Sequence, residues 1–258
     1  MQLFDTHTHL DAEEFAHDWE PVWQRAREAG VKYAANAGAY PPTWERSLEL
    51  NRRFPEILPC IGIHPMVIDR FGVAELEKMK TLLETGAFVA ISEIGLDPHF
   101  TECPLKQQEF FFRAQLELSQ KFSLPVCLHI RKAHTRVLEI LDEVSPTKWR
   151  GIAHCFSGSQ ELALEFTRRG FLISFAGPLT NPNAKKLHRM ATELPLEQIV
   201  VETDSPDLPP RNLRQARNEP AFIIEVVKKL AELRQQPINF VTDTIFDNAC
   251  KLFGMDAK

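Results

Sequence analysis

Near its start the chain reads "FDTHTHLD", residues 4–11, which places Asp5, His7 and His9 on alternate positions. Positions i and i+2 of a strand share a face, so His7 and His9 are expected to point the same way, with Asp5 beside them. Other titratable side chains recur at the ends of short apolar runs. His64 ends "ILPCIGIH", Glu93 ends "FVAISE", His129 ends "PVCLH", His154 ends "GIAH", and Asp204 follows "IVVET". Imidazole and carboxylate together suit Zn, Mn, Fe or Ni, and Mg where carboxylate and water predominate. Six donors, His7, His9, Glu93, His129, His154 and Asp204, are too many for one tetrahedral ion with an open position. They suit two divalent ions sharing a carboxylate, and Glu93 has the two oxygens that bridging requires.

Such a centre needs strands that end together. Eight short, β-branched, nearly continuous apolar runs are expected as strands: "QLFDTH", "VKYAANA", "ILPCIGIH", "FVAISEIG", "PVCLHI", "GIAHCF", "FLISFAG" and "QIVVETD". Continuous apolar character is typical of parallel strands covered on both faces. Amphipathic stretches lie between them. "EPVWQRAREAG" stops at Gly30, "PLKQQEFFFRAQLELSQKF" carries Pro104 in its first turn, and "SGSQELALEFTRRG" offers Ser157 and Ser159 as caps and Gly170 as a stop. The alternation predicts an α/β fold, a TIM (β/α)8 barrel, with a doubly wound open sheet sharing the same count. Helical material from Ala221 onward exceeds one closing helix and is expected to cap the barrel or pack beside it. No linker or repeat divides the chain, so one hydrolase-type domain over 1–258 is expected. In a barrel the C-terminal strand ends converge on the active site, which is where all these donors fall.

With 258 residues, 44% of them hydrophobic, the chain can bury a sizeable core. A net charge of −5 does not advertise a surface that grips nucleic acid throughout, though bound cations can dominate a local pocket. There is no signal-like N-terminus and no apolar run near the ~20 residues that span a bilayer, so no membrane partner is expected. Cys60, Cys103, Cys127, Cys155 and Cys250 are odd in number and scattered, as expected of buried free thiols in the cytoplasm.

"FDTHTHLD", "GIHP", "SEIGLD", "LHIRKAH", "HCFSGS", "ETDSPDLPP" and "RNEP" follow one another in this order. Together they resemble the TatD family of metal-dependent deoxyribonucleases, within the amidohydrolase-like barrels. The resemblance implies that His7 and His9 hold one ion with Glu93 and Asp204, and that His129 and His154 hold a second with Glu93 bridging. It implies DNA or an oligonucleotide as substrate, with trimming from a 3′ end. Ile130 stands where many relatives have a small hydroxyl residue.

A pair of cations suits an anionic phosphodiester, whose charge builds in the transition state. Asp204 is the candidate general base as well as a ligand, and a role as ligand only stays open. His64 and Arg131 are candidate phosphate-binding residues, Arg131 through its planar donor fork; for His64 a loop-fixing role is the alternative. Asp5 could orient an imidazole or bond to backbone, and Glu202 could touch a metal or pair with a basic group. His17, His99, His134 and His188 are expected at the surface, with His99 able to approach the mouth, and Phe110–Phe112 in core packing. Two other functions fit the same residues: a hydrolase of a small phosphoester, ester or amide, and a binding protein with a structural metal.

Overall fold

A computed structural model describes residues 1–145, 148–215 and 217–256. The expected domain over 1–258 therefore includes Pro146, Thr147, Ala216, Ala257 and Lys258, which lie outside the described residues. Eight strands form one sheet in the order of the sequence: β1 (Leu3–Thr8), β2 (Val31–Asn36), β3 (Ile57–Ile61), β4 (Ala90–Leu96), β5 (Val126–Ile130), β6 (Gly151–Ala153), β7 (Phe171–Phe175) and β8 (Ile199–Val201). Every paired neighbour is parallel.

The seam between β8 and β1 is closed mostly beyond the strands themselves. Thr6 Oγ1 donates to the Val201 carbonyl at 2.9 Å. The Asp204 backbone N–H donates to His7 O at 2.9 Å, and that of His9 to Ser205 O at 2.8 Å. Closure thus fixes His7, His9 and Asp204 against one another. The expected barrel, rather than an open sheet, is what these residues build.

Helices follow the strands around the outside: α1 (Trp19–Glu28), α2 (Trp44–Arg53), α3 (Val73–Leu83), α4 (Leu105–Phe122), α5 (His134–Val144), α6 (Gln160–Arg168), α7 (Lys185–Glu193), α8 (Ile223–Arg234) and α9 (Ile238–Phe253). Their apolar faces bury Trp23, Trp44, Phe112 and Phe166 against outward strand residues such as Ile57, Ile91 and Ile173. Each fully buried side chain of this size contributes about 1.5–3 kcal/mol of transfer free energy. Ser159 caps α6, its hydroxyl accepting from the Leu162 N–H at 3.3 Å. Pro104 sits one residue before α4 rather than inside its first turn.

A separate cluster fills the other end of the barrel. Phe4, Leu58, Cys60, Ala90, Cys127, Ile152 and Val200, most of them near strand starts, pack against Phe246, Ala249 and Phe253 of α9. Phe4 stacks on Phe253 with centroids 5.2 Å apart. The C-terminal helix therefore plugs the N-terminal mouth, leaving the C-terminal mouth open.

Candidate metal centre

The open mouth holds a cavity of about 610 Å³, lined by His9, His64, Glu93, His129, His154 and Asp204 among others. Glu93 lies at its floor, and its two oxygens face different neighbours. Oε2 is 3.3 Å from His7 Nε2 and 3.7 Å from His9 Nε2. Oε1 is 2.7 Å from His129 Nδ1, 3.0 Å from His154 Nε2 and 3.4 Å from His64 Nε2. Asp204 Oδ1 adds to the first group, 3.5 Å from His9 Nε2 and 3.6 Å from His7 Nε2.

The donor chemistry fits divalent cations. His7 Nε2 and His9 Nε2 face each other at 3.2 Å, with a carboxylate oxygen on either side. One proton can be shared between two such nitrogens, whereas a cation satisfies all four lone pairs. Three metal-competent groups lie here: His7, His9 and Asp204; His7, His154 and Glu202; His64, Glu93 and His129. They support a two-metal site.

Gly95 makes the approach of β4 and β5 possible. Its φ is +153°, and a Cβ there would come within 1.9 Å of the His129 carbonyl oxygen. The bare backbone lets Glu93 and His129 meet. Two of the imidazoles have carboxylate anchors behind them. His154 Nδ1 is 3.1 Å from Glu202 Oε1, which also accepts the Cys155 N–H at 2.6 Å. His129 Nε2 is 3.1 Å from Asp97 Oδ2, and Asp97 is itself held by the His99 N–H at 2.9 Å. Such anchors set which ring nitrogen is left for a metal. Glu202 Oε2 is buried with no hydrogen-bond partner among the described residues, and this carboxylate groups with His7 and His154.

His64 differs from the rest. It lies three residues beyond β3, and its Nδ1 accepts the Met66 N–H at 3.1 Å. Burial takes the ring down to about 4, so it is neutral. The proton is therefore on Nε2, the nitrogen that faces Glu93 and the cavity, which makes His64 a hydrogen-bond donor there. Arg131 is half exposed on the cavity wall, with Nη1 3.9 Å from Asp97 Oδ2.

Asp5 leaves the face expected for it. The register of β1 shifts between Asp5 and Thr8, which breaks the alternation. Asp5 instead accepts from the Thr203 N–H at 2.9 Å and hydroxyl at 2.5 Å, and from the His7 N–H at 3.4 Å. It touches no imidazole and ties β1 to the segment that carries Asp204. Burial, with the Glu202 charge adding to it, pushes Asp5 up to about 8. Asn218 of "RNEP" reinforces that segment, donating to Thr203 O at 2.8 Å and Asp207 O at 2.6 Å.

Burial opposes charge throughout the centre, and the mixed array reverses it for several groups. Burial alone would raise Glu93, yet His154, His64 and His7 hold it well below the usual carboxylate range. Asp204 is likewise lowered against burial, by His9, His154 and His7. His9 would be lowered by burial but Asp204 and Glu93 push it up to about 9. His154 is raised well above an ordinary imidazole because Glu93 and Glu202 outweigh its burial. His7 is lowered, by burial and by the neighbouring His154.

Three residues at the centre lay outside the sequence-derived donor set. Asp97 lies one residue beyond β4 and four beyond Glu93, at the end of the quoted "SEIGLD" stretch. Cys127, whose Sγ is 3.1 Å from His7 Nδ1, carried no signal beyond its place in "PVCLH". Asp11 is buried beside His9 and accepts the Thr43 hydroxyl. His17 and His99 are exposed, His99 beside the cavity-lining Asp97 and Phe100, while His134 is partly buried against Phe156 at 5.3 Å rather than at the surface. His188 is also partly buried, bonded to Leu179 O at 2.9 Å. Phe111 and Phe112 enter the core, but Phe110 remains exposed.

Parallel barrels that bring lone-pair donors from several strands to one C-terminal mouth are built for metal-assisted hydrolysis, and this chain is a metal-dependent hydrolase. It belongs to the TatD-related DNase family, whose model matches residues 4–254. A Bacillus subtilis (strain 168) relative described as the uncharacterized metal-dependent hydrolase YabD is 37% identical, over 98% of this chain and 100% of that one. A relative from Erwinia tasmaniensis described as the 3′-5′ ssDNA/RNA exonuclease TatD is 31% identical, over 98% of this chain and 100% of its own length. The crystal structure of the TatD homologue YjjV from Escherichia coli K12 superposes with a TM-score of 0.93 at 31% identity, covering 98% of both chains.

Proposed function

We propose that this chain is a deoxyribonuclease that removes nucleotides from the 3′ end of single-stranded DNA. The observation that carries the reading is the division of Glu93, one oxygen toward His7 and His9 and the other toward His129 and His154. The described activity of the Erwinia relative supports the choice of substrate and end.

In this reading His7, His9 and Asp204 would hold one divalent ion and His129 and His154 the other, with Glu93 shared between them. Bound divalent ions would supply Lewis acidity toward a phosphodiester and acidify a coordinated water. Asp204, kept ionised by the imidazoles around it, accepts the proton of the attacking water and returns it to the leaving oxygen. His64 donates from Nε2 to a non-bridging phosphate oxygen, and Arg131 offers its fork to the same phosphate or its neighbour. Glu202 and Asp97 fix the rings of His154 and His129. The five cysteines, none paired, suit a reducing cytoplasm as the working compartment. No helix among the described residues is long and apolar enough to cross a membrane.

The test is hydrolysis of 3′- and 5′-end-labelled single- and double-stranded DNA beside small phosphoesters, with Mg²⁺, Mn²⁺ or Zn²⁺ returned to metal-stripped protein. Stepwise loss of nucleotides from the 3′ end of single strands is expected. Turnover of small esters with intact DNA would overturn the reading.

A further inference from the structure

The cavity walls are not alike. Beyond β2 and β3 the wall carries Tyr40, Arg46, Met66 and Arg70, whereas beyond β1 and β8 it carries Glu13, Glu14 and Asp207. Tyr40 and Met66 are two of the few large apolar side chains left in the open, at 36% and 46% exposure. Tyr40 is backed by Phe71 in an edge-on contact at 5.5 Å, which holds the ring in place. Met66 is tethered by the bond from its N–H to His64, the residue that faces Glu93. Arg46 has no carboxylate within 4 Å among the described residues, and Arg70 has only Asp69, at 3.8 Å. An aromatic ring and a thioether beside the unpaired Arg46 and the loosely paired Arg70, continuous with the metal-competent centre, is the composition of a single-strand platform. Bases rest on the apolar faces and the backbone runs along the cations. The acidic edge beyond β1 and β8 adjoins this wall and disfavours a phosphate backbone on that side.

Resting on the nuclease reading above, we infer that the β2–β3 wall is the track for a single strand. Tyr40 and Met66 carry the nucleobases next to the scissile bond, and Arg46 and Arg70 pair with the phosphates leading away from it. Glu13, Glu14 and Asp207 border the track on its β1 side and keep the strand's phosphates on the arginine-bearing wall.

The experiment compares the metal-loaded parent with Tyr40→Ala, Met66→Ala, Tyr40→Phe and Arg46→Ala/Arg70→Ala on an oligothymidylate and on bis(p-nitrophenyl) phosphate. Losing one stacking face lowers selectivity, the ratio of kcat/KM on oligothymidylate to that on the small diester, by roughly tenfold. Tyr40→Phe recovers most of the loss. The double arginine variant flattens the dependence of log KM on log salt by about 0.7 per phosphate contact removed. Equal losses on both substrates, or a selectivity and salt slope matching the parent, would overturn the track. If the parent cleaves the small diester but no oligonucleotide, the nuclease reading itself fails. If it degrades the oligonucleotide while the variants keep parental selectivity, only the track falls.

Discussion

His154 and Glu202 form a buried pair, Nδ1 to Oε1 at 3.1 Å, which leaves the opposite ring nitrogen 3.0 Å from Glu93. A carboxylate behind a histidine fixes its tautomer and raises its basicity toward a metal. Glu202→Gln keeps an acceptor for the Cys155 N–H but removes the charge. It is expected to weaken metal binding about 10- to 100-fold, read by titration against a competing chelator. Parental affinity would show that the pair is merely structural.

Asp97 plays the same part for His129, and its position also places it 3.9 Å from Arg131. Asp97→Asn is expected to lower kcat about 10-fold or more while thermal unfolding of the metal-free protein moves little. A fall in melting temperature without loss of rate in the folded enzyme would assign Asp97 to packing alone.

Arg131→Ala is expected to raise KM for phosphodiesters several-fold, because a half-exposed guanidinium on the cavity wall offers two parallel donors to a phosphate. Steady-state kinetics on a phosphodiester and on a neutral ester separate the two roles. An equal loss on both would argue that Arg131 acts through Asp97.

Protons and metal compete for the same nitrogens. In the metal-free protein His9 holds its proton up to about 9, and His154 is raised in the same direction. Metal affinity is therefore expected to rise with pH across the neutral range and level off above about 9, with protons released on binding. Calorimetry in buffers of different ionisation enthalpy measures the release. The sign for stability is opposite. A histidine with a raised folded value stabilises the metal-free fold fully below its ordinary value near 6.5, and that contribution is lost as pH rises through about 9. Asp5, raised to about 8, loses its stabilising contribution as pH rises from its ordinary value near 3.8 to about 8. The gap in melting temperature between loaded and metal-free protein should thus widen from pH 6.5 to 9. A constant gap would mean that His9 is not a proton-competing ligand.

The barrel was legible because its strands are short apolar runs, and the donors were legible because each ends or follows one. What the sequence concealed has physical causes. Alternation along β1 breaks at the register shift between Asp5 and Thr8, so Asp5 turns to Thr203 instead of the imidazoles. The strand expected to run to His64 ends at Ile61, and a backbone N–H in the following turn then decides which nitrogen of His64 is protonated. Glu202 was ambiguous because its partner, His154, is 48 residues away, at the end of the strand two places along the sheet. The plug formed by α9 was foreseen as one of two placements; the cluster of Phe4, Phe246 and Phe253 selects it.

The central claim is that Glu93 holds two ions in one mouth. Anomalous diffraction from Mn²⁺-loaded crystals, with metal content measured for parent and Glu93→Gln, tests it most directly. Two peaks about 3.5–4 Å apart, one on each side of the Glu93 carboxylate, and loss of metal and activity together in the variant, are predicted. A single peak away from Glu93, or a variant that keeps both its metal and its rate, would contradict the account.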